Sequence, residues 1–328
     1  MNALRSILAR RETGIAVMIV LFTIAVSLYK PQFFTLNSLR VILLLTPLVM
    51  IAAMGQMLVL VARHVDLSMG SMLGLSAMIT GMMFRDMPYI PWPLGFVVAI
   101  GIGTMLGLIN GALVTLFRLP SIIVTLGTLN LYRGLTFIVS NARQVDRQFV
   151  PSDLKGLSQT SPIFGIPWII FMAFAVVLLT YWFAMHTRVG RQIFAVGSNP
   201  VAAPLRGVKV TQVTLLVFAI SGALSGLAGI MYASRWGFVN PSNTGFGFEF
   251  QVIAAVVIGG VSINGGVGSV VGVMLGVLLM GCVAAALPLL GIPGTAQGAI
   301  YGAVILVALL IDRSVRRQGI SGLKLVRV

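Results

Sequence analysis

The feature that most constrains this chain is a series of long apolar blocks whose charged residues lie at the block edges. A helix needs about 20 residues to cross the hydrocarbon core of a bilayer. Only 9% of the 328 residues are charged, against about 25% in soluble globular chains. We therefore predict an all-α polytopic membrane protein, a bundle of about ten transmembrane or partly re-entrant helices. The predicted segments are 14–30, 39–61, 66–84, 93–117, 119–139, 166–185, 212–234, 247–263, 265–290 and 294–312.

Segments 66–84, 247–263 and 294–312 are near the short end for a membrane span, so we expect one or two of them to be broken or re-entrant. The basic residues lie mostly in short loops that alternate with loops of mixed charge. By the positive-inside rule, this pattern predicts that both termini are cytoplasmic. The net charge of +15 then reflects membrane topology, and we expect no nucleic-acid partner.

Two loops are long enough to carry function. The polar stretch 140–165 contains Pro151 and Pro162 and is predicted on the periplasmic side. The basic stretch 186–211 is predicted on the cytoplasmic side. No soluble domain interrupts the series, so residues 1–328 are expected to form a single transmembrane domain. The basic N-terminus resembles a signal peptide, but an uncleaved first helix is expected because many spans follow.

Several classes of chemistry lack their sequence signatures. No G-x-x-x-x-G-K-[ST] run occurs, so this chain is not expected to hydrolyse ATP. With one cysteine, Cys282, and two histidines, His64 and His186, no metal site is expected. Cys282 lies in an apolar run, which is typical of a small buried hydrophobe. We therefore expect neither an enzyme nor a cofactor in this chain.

Two carboxylates lie at the starts of apolar segments and are the main ionisable candidates. Asp66 begins segment 66–84, and Glu249 follows a glycine-rich turn at the start of segment 247–263. Ionisable residues within spans are costly and are commonly functional. A carboxylate in the first turn can equally cap free backbone N–H groups. Both interpretations stay open, for each residue.

A second set of candidates is neutral and polar. Asn110, Thr125, Thr128 and Asn130 all lie within apolar segments. Such groups can line a pathway for a polar cargo, or they can form hydrogen bonds between helices. The sequence alone leaves both roles open.

Four stretches together resemble the ribose-type permease family of bacterial ATP-binding-cassette importers over nearly the whole chain. They are 64–71, 120–134, 188–200 and 249–260. The first, HVDLSMGS, is similar to the family pattern GIDLSVGS and departs most clearly at His64, where glycine is usual. The second begins PSIIVTLGT and the fourth reads E-x-x-x-I-A-A-V-V-I-G-G, each similar to a family block.

The resemblance implies a multi-pass inner-membrane permease that works with partners. A second permease chain would complete the pathway, a pair of cytoplasmic ATPases holding ATP and Mg²⁺ would drive it, and a periplasmic binding protein would deliver the cargo. The loop 186–211 would couple the permease to the ATPase, with a short helix around 192–196 bracketed by Gly190, Gly197 and Pro200. The residues implied in coupling are Arg188, Gly190, Arg191, Gln192, Phe194, Gly197, Asn199 and Pro200.

The family carries several kinds of cargo, so the resemblance implies a class rather than a compound. We expect a small sugar, either a pentose or a deoxyhexose such as rhamnose, with autoinducer-2 as the alternative. The expected pathway residues are Asp66, Asn110, Thr125, Thr128 and Glu249. From a different class, a secondary carrier working without ATP is the competing hypothesis. Such carriers often relay ions through buried carboxylates, and this chain has few.

Overall fold

The computed structural model describes residues 11–161 and 165–307, which form an all-helical bundle. The predicted fold class is confirmed. The tail beyond residue 307 and the N-terminal arginines Arg5 and Arg10 lie outside the described residues, as does Pro162. The helices are α1 Arg11–Tyr29, α2 Leu36–Val61, α3 Met69–Asp86, α4 Leu94–Leu116, α5 Ser121–Ser140, α6 Ser152–Gln159, α7 Trp168–His186, α8 Arg188–Ser198, α9 Val210–Trp236, α10 Phe248–Ile258, α11 Val270–Leu289 and α12 Gln297–Val307.

Each of the ten predicted segments contains one of these helices. Seven described helices are long and apolar enough to cross a membrane, namely α1, α2, α4, α5, α7, α9 and α11. The other three, α3, α10 and α12, fall in the segments set apart as short. The chain is therefore a multi-pass membrane protein, and the cytoplasmic placement of its termini stays a prediction.

Helix α10 is the clearest departure from the predicted bounds. Its 11 residues extend about 16 Å, roughly half of the 30 Å hydrocarbon core. The predicted segment ran from 247 to 263, but the helix ends at Ile258 because Gly259 and Gly260 follow, and Gly260 has φ 83°. Apolar residues beyond this turn misled the prediction, since hydropathy does not distinguish buried turns from helix.

Helix α9 lies at the centre of the bundle and packs against α2, α3 and α4. Its contact with α4 is made by glycines. A Cβ atom on Gly103 would overlap the carbonyl oxygen of Gly222, and a Cβ on Gly107 would overlap that of Phe218. Small residues let membrane helices approach this closely. Helix α1 lies at the periphery and packs mainly against α11.

The two loops predicted to matter cover opposite ends of the bundle. At one end, Val145 bridges to Val239, and Ser158 of α6 contacts Ser234 of α9 at 2.8 Å. The sequence predicted only a polar loop here, not helix α6. We call the other end the basic end. Four loops lie there, namely 62–68, 117–120, 187–209 and 259–269. Helix α8 packs on the end of α2 at this side of the bundle.

Candidate functional site

The Asp66 carboxylate lies fully buried in the segment between α2 and α3. Its Oδ1 accepts hydrogen bonds from the Ser68 amide at 2.9 Å and the Ser68 hydroxyl at 2.7 Å. Its Oδ2 accepts one from the Ser221 hydroxyl of α9 at 2.9 Å. An Asp two residues ahead commonly binds the backbone in this way and starts a turn. Asp66 therefore shapes the start of α3, which begins at Met69 rather than at 66, and ties that start to α9.

The same network reaches two more helices. Asn110 of α4 donates from Nδ2 to the Ser68 hydroxyl at 2.7 Å. The Tyr132 hydroxyl of α5 lies 3.1 Å from Asn110 Oδ1 and 3.0 Å from the Leu106 carbonyl oxygen. All three side chains are buried. Helices α3, α4, α5 and α9 are thus held together by one chain of hydrogen bonds, which we call the Asp66 network.

The N-terminal turn of α5 is fixed to the segment before α3. Ser121 Oγ accepts from the Val65 amide at 3.0 Å. Thr125 Oγ1 lies 2.8 Å from the Ser121 carbonyl oxygen and 3.2 Å from that of Val65. The Thr128 hydroxyl donates to the Thr125 carbonyl oxygen at 3.4 Å. Four of the predicted pathway residues are therefore buried, Asp66 and Asn110 in the Asp66 network and Thr125 and Thr128 along α5. Their contact with cargo stays a prediction.

His64 stands where the family pattern has glycine, and the backbone conformation shows why a side chain fits there. The residue with the left-handed backbone conformation at this turn is Arg63, with φ of 70°, and not His64. The imidazole Nε2 lies 3.1 Å from Thr214 Oγ1 of α9. Burial lowers the pKa of His64 to about 4, because a charged imidazolium is poorly solvated there. His64 is a neutral packing group in the loop at the basic end.

Glu249 lies at the start of α10, 4% exposed, and faces the start of α3. A Cβ atom on Gly70 would overlap its Oε2. Within the described residues, this oxygen has no hydrogen-bond donor. The positive charge that attracts the carboxylate belongs to Arg133 of α5. The fifth predicted pathway residue is therefore buried too, but it lies apart from the hydrogen bonds of the Asp66 network and beside a cation.

The predicted set of ionisable residues did not include Arg133. It lies in the middle of α5, a helix otherwise apolar enough to span the membrane. Its Nη2 donates to the Gly245 carbonyl oxygen at 3.0 Å, and its Cζ lies 5.3 Å from the centre of the Phe246 ring. The signal was present in the sequence, since a cation interrupts the predicted segment 119–139.

The loop at the basic end forms a longer helix than predicted. Helix α8 runs from Arg188 to Ser198 and contains the predicted stretch 192–196. Thr187 caps it, with Oγ1 accepting from the Gly190 amide at 2.9 Å. Gly190 and Gly197 do not bracket the helix as expected but lie inside it. A Cβ on Gly190 would overlap backbone oxygens at the end of α7, and one on Gly197 would overlap the Val61 carbonyl oxygen at the end of α2.

The rest of this loop presents an outward surface. Arg188, Arg191 and Asn199 are exposed, and Gln192, Phe194 and Pro200 are half-buried. The Asn199 side chain accepts from the amides of Val201 and Ala202 at 3.1 and 3.0 Å, which holds the following turn. Two apolar side chains on this turn, Val201 and Leu205, are 82% and 87% exposed. We call Arg191, Val201 and Leu205 the loop knob. Val201 and Leu205 were not among the predicted coupling residues.

Within the described residues, no cluster of three or more histidine, cysteine or acidic side chains could hold a metal ion. The geometry thus offers two features of functional interest. One is the polar interior around Asp66, Glu249 and Arg133, and the other is the loop knob on the basic end.

Comparison with known proteins identifies what the chain resembles. A family model described as the permease component of branched-chain amino acid transport systems matches residues 38–309. The chain is 34% identical to the autoinducer 2 import system permease protein LsrC of Photorhabdus luminescens, over 94% of this chain and 91% of that protein. It is also 34% identical to the LsrC protein of Enterobacter sp. (strain 638), over 96% of this chain and 90% of that protein. No solved structure matches the chain.

Proposed function

This chain belongs to the family of permease components of branched-chain amino acid transport systems, and from that premise we propose that it is the membrane-spanning subunit of an ATP-driven importer of a small sugar-like cargo. The observation that carries the proposal is the 34% identity to import permeases along 94% of the chain. The family is one of permeases rather than enzymes. ATP and Mg²⁺ are accordingly assigned to a partner ATPase, and no cofactor to this chain.

Among cargoes, we place autoinducer-2 first and a pentose or deoxyhexose second. The similar permeases are named as components of autoinducer 2 import systems. Both cargoes are small and rich in hydroxyl groups, and hydrogen-bonding groups recognise them without a net charge. The interior supports such a cargo because Asn110, Thr125 and Thr128 supply buried neutral hydrogen-bonding groups.

The proposed partners follow from the two ends of the bundle. Cytoplasmic ATPase domains would dock on the basic end, where the loop knob exposes Val201 and Leu205 beside Arg191. Exposed apolar side chains on a held turn are typical of a protein-binding surface. A second permease chain would complete the pathway, and a periplasmic binding protein would dock at the opposite end, near α6.

A mechanical connection joins the loop knob to the interior. Gly197 of α8 packs directly on the Val61 carbonyl at the end of α2. The chain then runs through Arg63 and His64 to Asp66, whose network holds α3, α4, α5 and α9. Closure of the ATPase pair on α8 would therefore shift the start of α3 against its neighbours. We propose that this movement switches the pathway between outward and inward opening.

The cargo is tested by uptake into proteoliposomes that hold this permease with its proposed partner ATPase and binding protein. The probes are labelled autoinducer-2, ribose, rhamnose and leucine, each with and without internal ATP. We expect ATP-dependent uptake of autoinducer-2 or of one sugar, and none of leucine. Uptake of leucine alone would overturn the sugar-like cargo, and uptake without ATP would favour the secondary carrier.

A further inference from the structure

Helix α5 carries a polar side chain, Asn130, in mid-span on an exposed side that is otherwise apolar. Its buried positions share one side of the helix, and the opposite side exposes Gly127, Asn130 and Gly134. Among the described residues, nothing outside the helix's own backbone lies within 4 Å of where a Cβ on either glycine would sit. The Asn130 amide donates to the Leu126 carbonyl oxygen of its own helix at 3.0 Å. A polar side chain in mid-span costs free energy in hydrocarbon, so such residues usually face water or protein.

Arg133 lies three residues beyond Asn130, so the two are neighbours on the helix surface. Its guanidinium is half-buried and reaches from α5 to the loop before α10. There it binds the Gly245 carbonyl oxygen and lies over the Phe246 ring. The cation is therefore held in place at the edge of the exposed face, not free to extend towards the membrane surface.

The loop that carries Phe246 is rigidly built. Asn240 Oδ1 accepts from the amides of Ser242 and Asn243 at 2.9 and 3.3 Å. Gly245 and Gly247 flank Phe246 with φ of 73° and 70°, which L side chains rarely adopt. A Cβ on Gly245 would also overlap the Gly70 carbonyl oxygen of α3. This scaffold leaves the Phe246 ring 75% exposed beside the guanidinium.

We propose that Asn130, Arg133 and Phe246 form a contact site for the cargo on the wall of a water-filled path. The inference rests on the proposed function and deepens it. An aromatic face packs on the C–H side of a sugar ring, while the guanidinium and amide donate to its hydroxyl oxygens. Hydrogen-bond donors beside an aromatic face suit a neutral polyhydroxylated cargo.

Water access is the first test, and the chain is well suited to it. Cys282 is the single cysteine of this chain, so Cys282→Ala gives a cysteine-free permease for labelling in the assembled, reconstituted importer. Asn130→Cys and Phe246→Cys are compared with Leu179→Cys, which is 65% exposed on the apolar helix α7. A charged, membrane-impermeant methanethiosulfonate is the probe. We expect at least tenfold faster reaction at 130 and 246 than at 179, and slower reaction when transported cargo is present at saturating concentration.

Two results would overturn the path. Reaction at 130 and 246 as slow as at 179 would mean that this face contacts lipid. An Asn130→Cys chain that resists the reagent but forms a disulfide with a second copy would mean that the face is a closed contact between permeases. Each result rejects the site while leaving the importer assignment untouched.

Uptake kinetics test the aromatic contact itself. Phe246→Ala is expected to raise the KM for the transported probe, autoinducer-2 or ribose, by at least fivefold, and Phe246→Tyr to restore it. Phe250→Ala is the matched control, because Phe250 is an aromatic residue of α10 that is 47% exposed, whereas Arg133 lies over the ring of Phe246. An unchanged KM in Phe246→Ala would reject the site. Absence of uptake by the native importer would instead reject the proposed function on which it rests.

Discussion

Asp66 is the residue on which the interior depends most. Its carboxylate accepts three hydrogen bonds while fully buried, and each donor comes from a serine. A buried hydrogen bond contributes about 0.5–1.5 kcal/mol net, and a buried donor left unpaired costs about 1–3 kcal/mol more. The residue therefore fixes how α3 begins and how α9 is held, whichever role it has in transport.

Asp66→Ala is predicted to destabilise the folded permease by about 3 kcal/mol or more, because two buried serine hydroxyls lose their acceptor. Thermal unfolding in detergent would show this as a fall in midpoint of more than about 5 °C. Asp86→Asn is the control, since Asp86 forms an exposed pair with Arg85 at 2.7 Å. Equal midpoints for the two variants would contradict the account.

His64 gives a prediction for pH. Its pKa falls from 6.5 in the unfolded chain to about 4 in the folded one. Between those values the unfolded state binds the proton and the folded state does not, so acid favours unfolding. The contribution of His64 to stability is complete above about pH 6.5 and is lost as the pH falls towards 4.

Thermal unfolding between pH 4 and 7 measures this contribution. His64→Gln keeps a hydrogen-bonding group for Thr214 but does not titrate. We expect the variant to lose less stability than the native chain as the pH is lowered. Parallel curves for the two proteins would contradict the buried, neutral placement of His64.

At the scale of elements, the contact between α4 and α9 has the least tolerance for change. Gly107→Ala would place a methyl group on the Phe218 carbonyl oxygen. Overpacking of this kind costs about 1–3 kcal/mol, so we predict a lower unfolding midpoint and a lower yield of folded protein. Gly101→Ala on the same helix is the matched control, because among the described residues nothing outside the helix's own backbone lies within 4 Å of its added Cβ. Alanine favours the helix over glycine at both positions, so an equal loss in both variants would contradict the close packing of α4 on α9 as the cause.

The helices were largely predictable because hydropathy identifies the apolar segments of the chain. Hydropathy does not predict where a buried segment is non-helical. Segment 66–84 begins with Asp66 binding the backbone, so α3 starts later, at Met69. The turn after Ile258 is apolar and buried, so α10 is shorter than its segment. Helix α6 was missed because Leu154 and Leu157 lie among polar residues and bury only one narrow side.

The candidate site was only partly predictable, for a related reason. Residue type identified Asp66, Asn110 and Glu249 as polar groups in apolar segments, but not which of them meet. Asn110 reaches Asp66 only through Ser68, across 42 residues of sequence. Arg133 was left out because its partners, Gly245 and Phe246, lie on a loop more than 100 residues away.

For the whole molecule, we propose that movement of the loop knob is coupled to movement of the polar interior. Helix α8 is packed on the end of α2, and the segment from there to α3 enters the Asp66 network. A variant that alters only the outward surface should therefore leave the fold intact and uncouple it from the ATPase. Arg191→Glu with Leu205→Asp is such a variant, because both side chains are exposed.

The most direct test compares the native chain with Arg191→Glu/Leu205→Asp, each reconstituted with its ATPase and binding protein. Uptake of the transported cargo is measured with and without ATP, beside the thermal unfolding midpoint of each permease. We predict ATP-dependent uptake by the native importer. We predict that the double variant loses both uptake and ATPase association while its thermal unfolding midpoint is unchanged. Uptake that needs no ATP, or a variant that transports as well as the native chain, would contradict it.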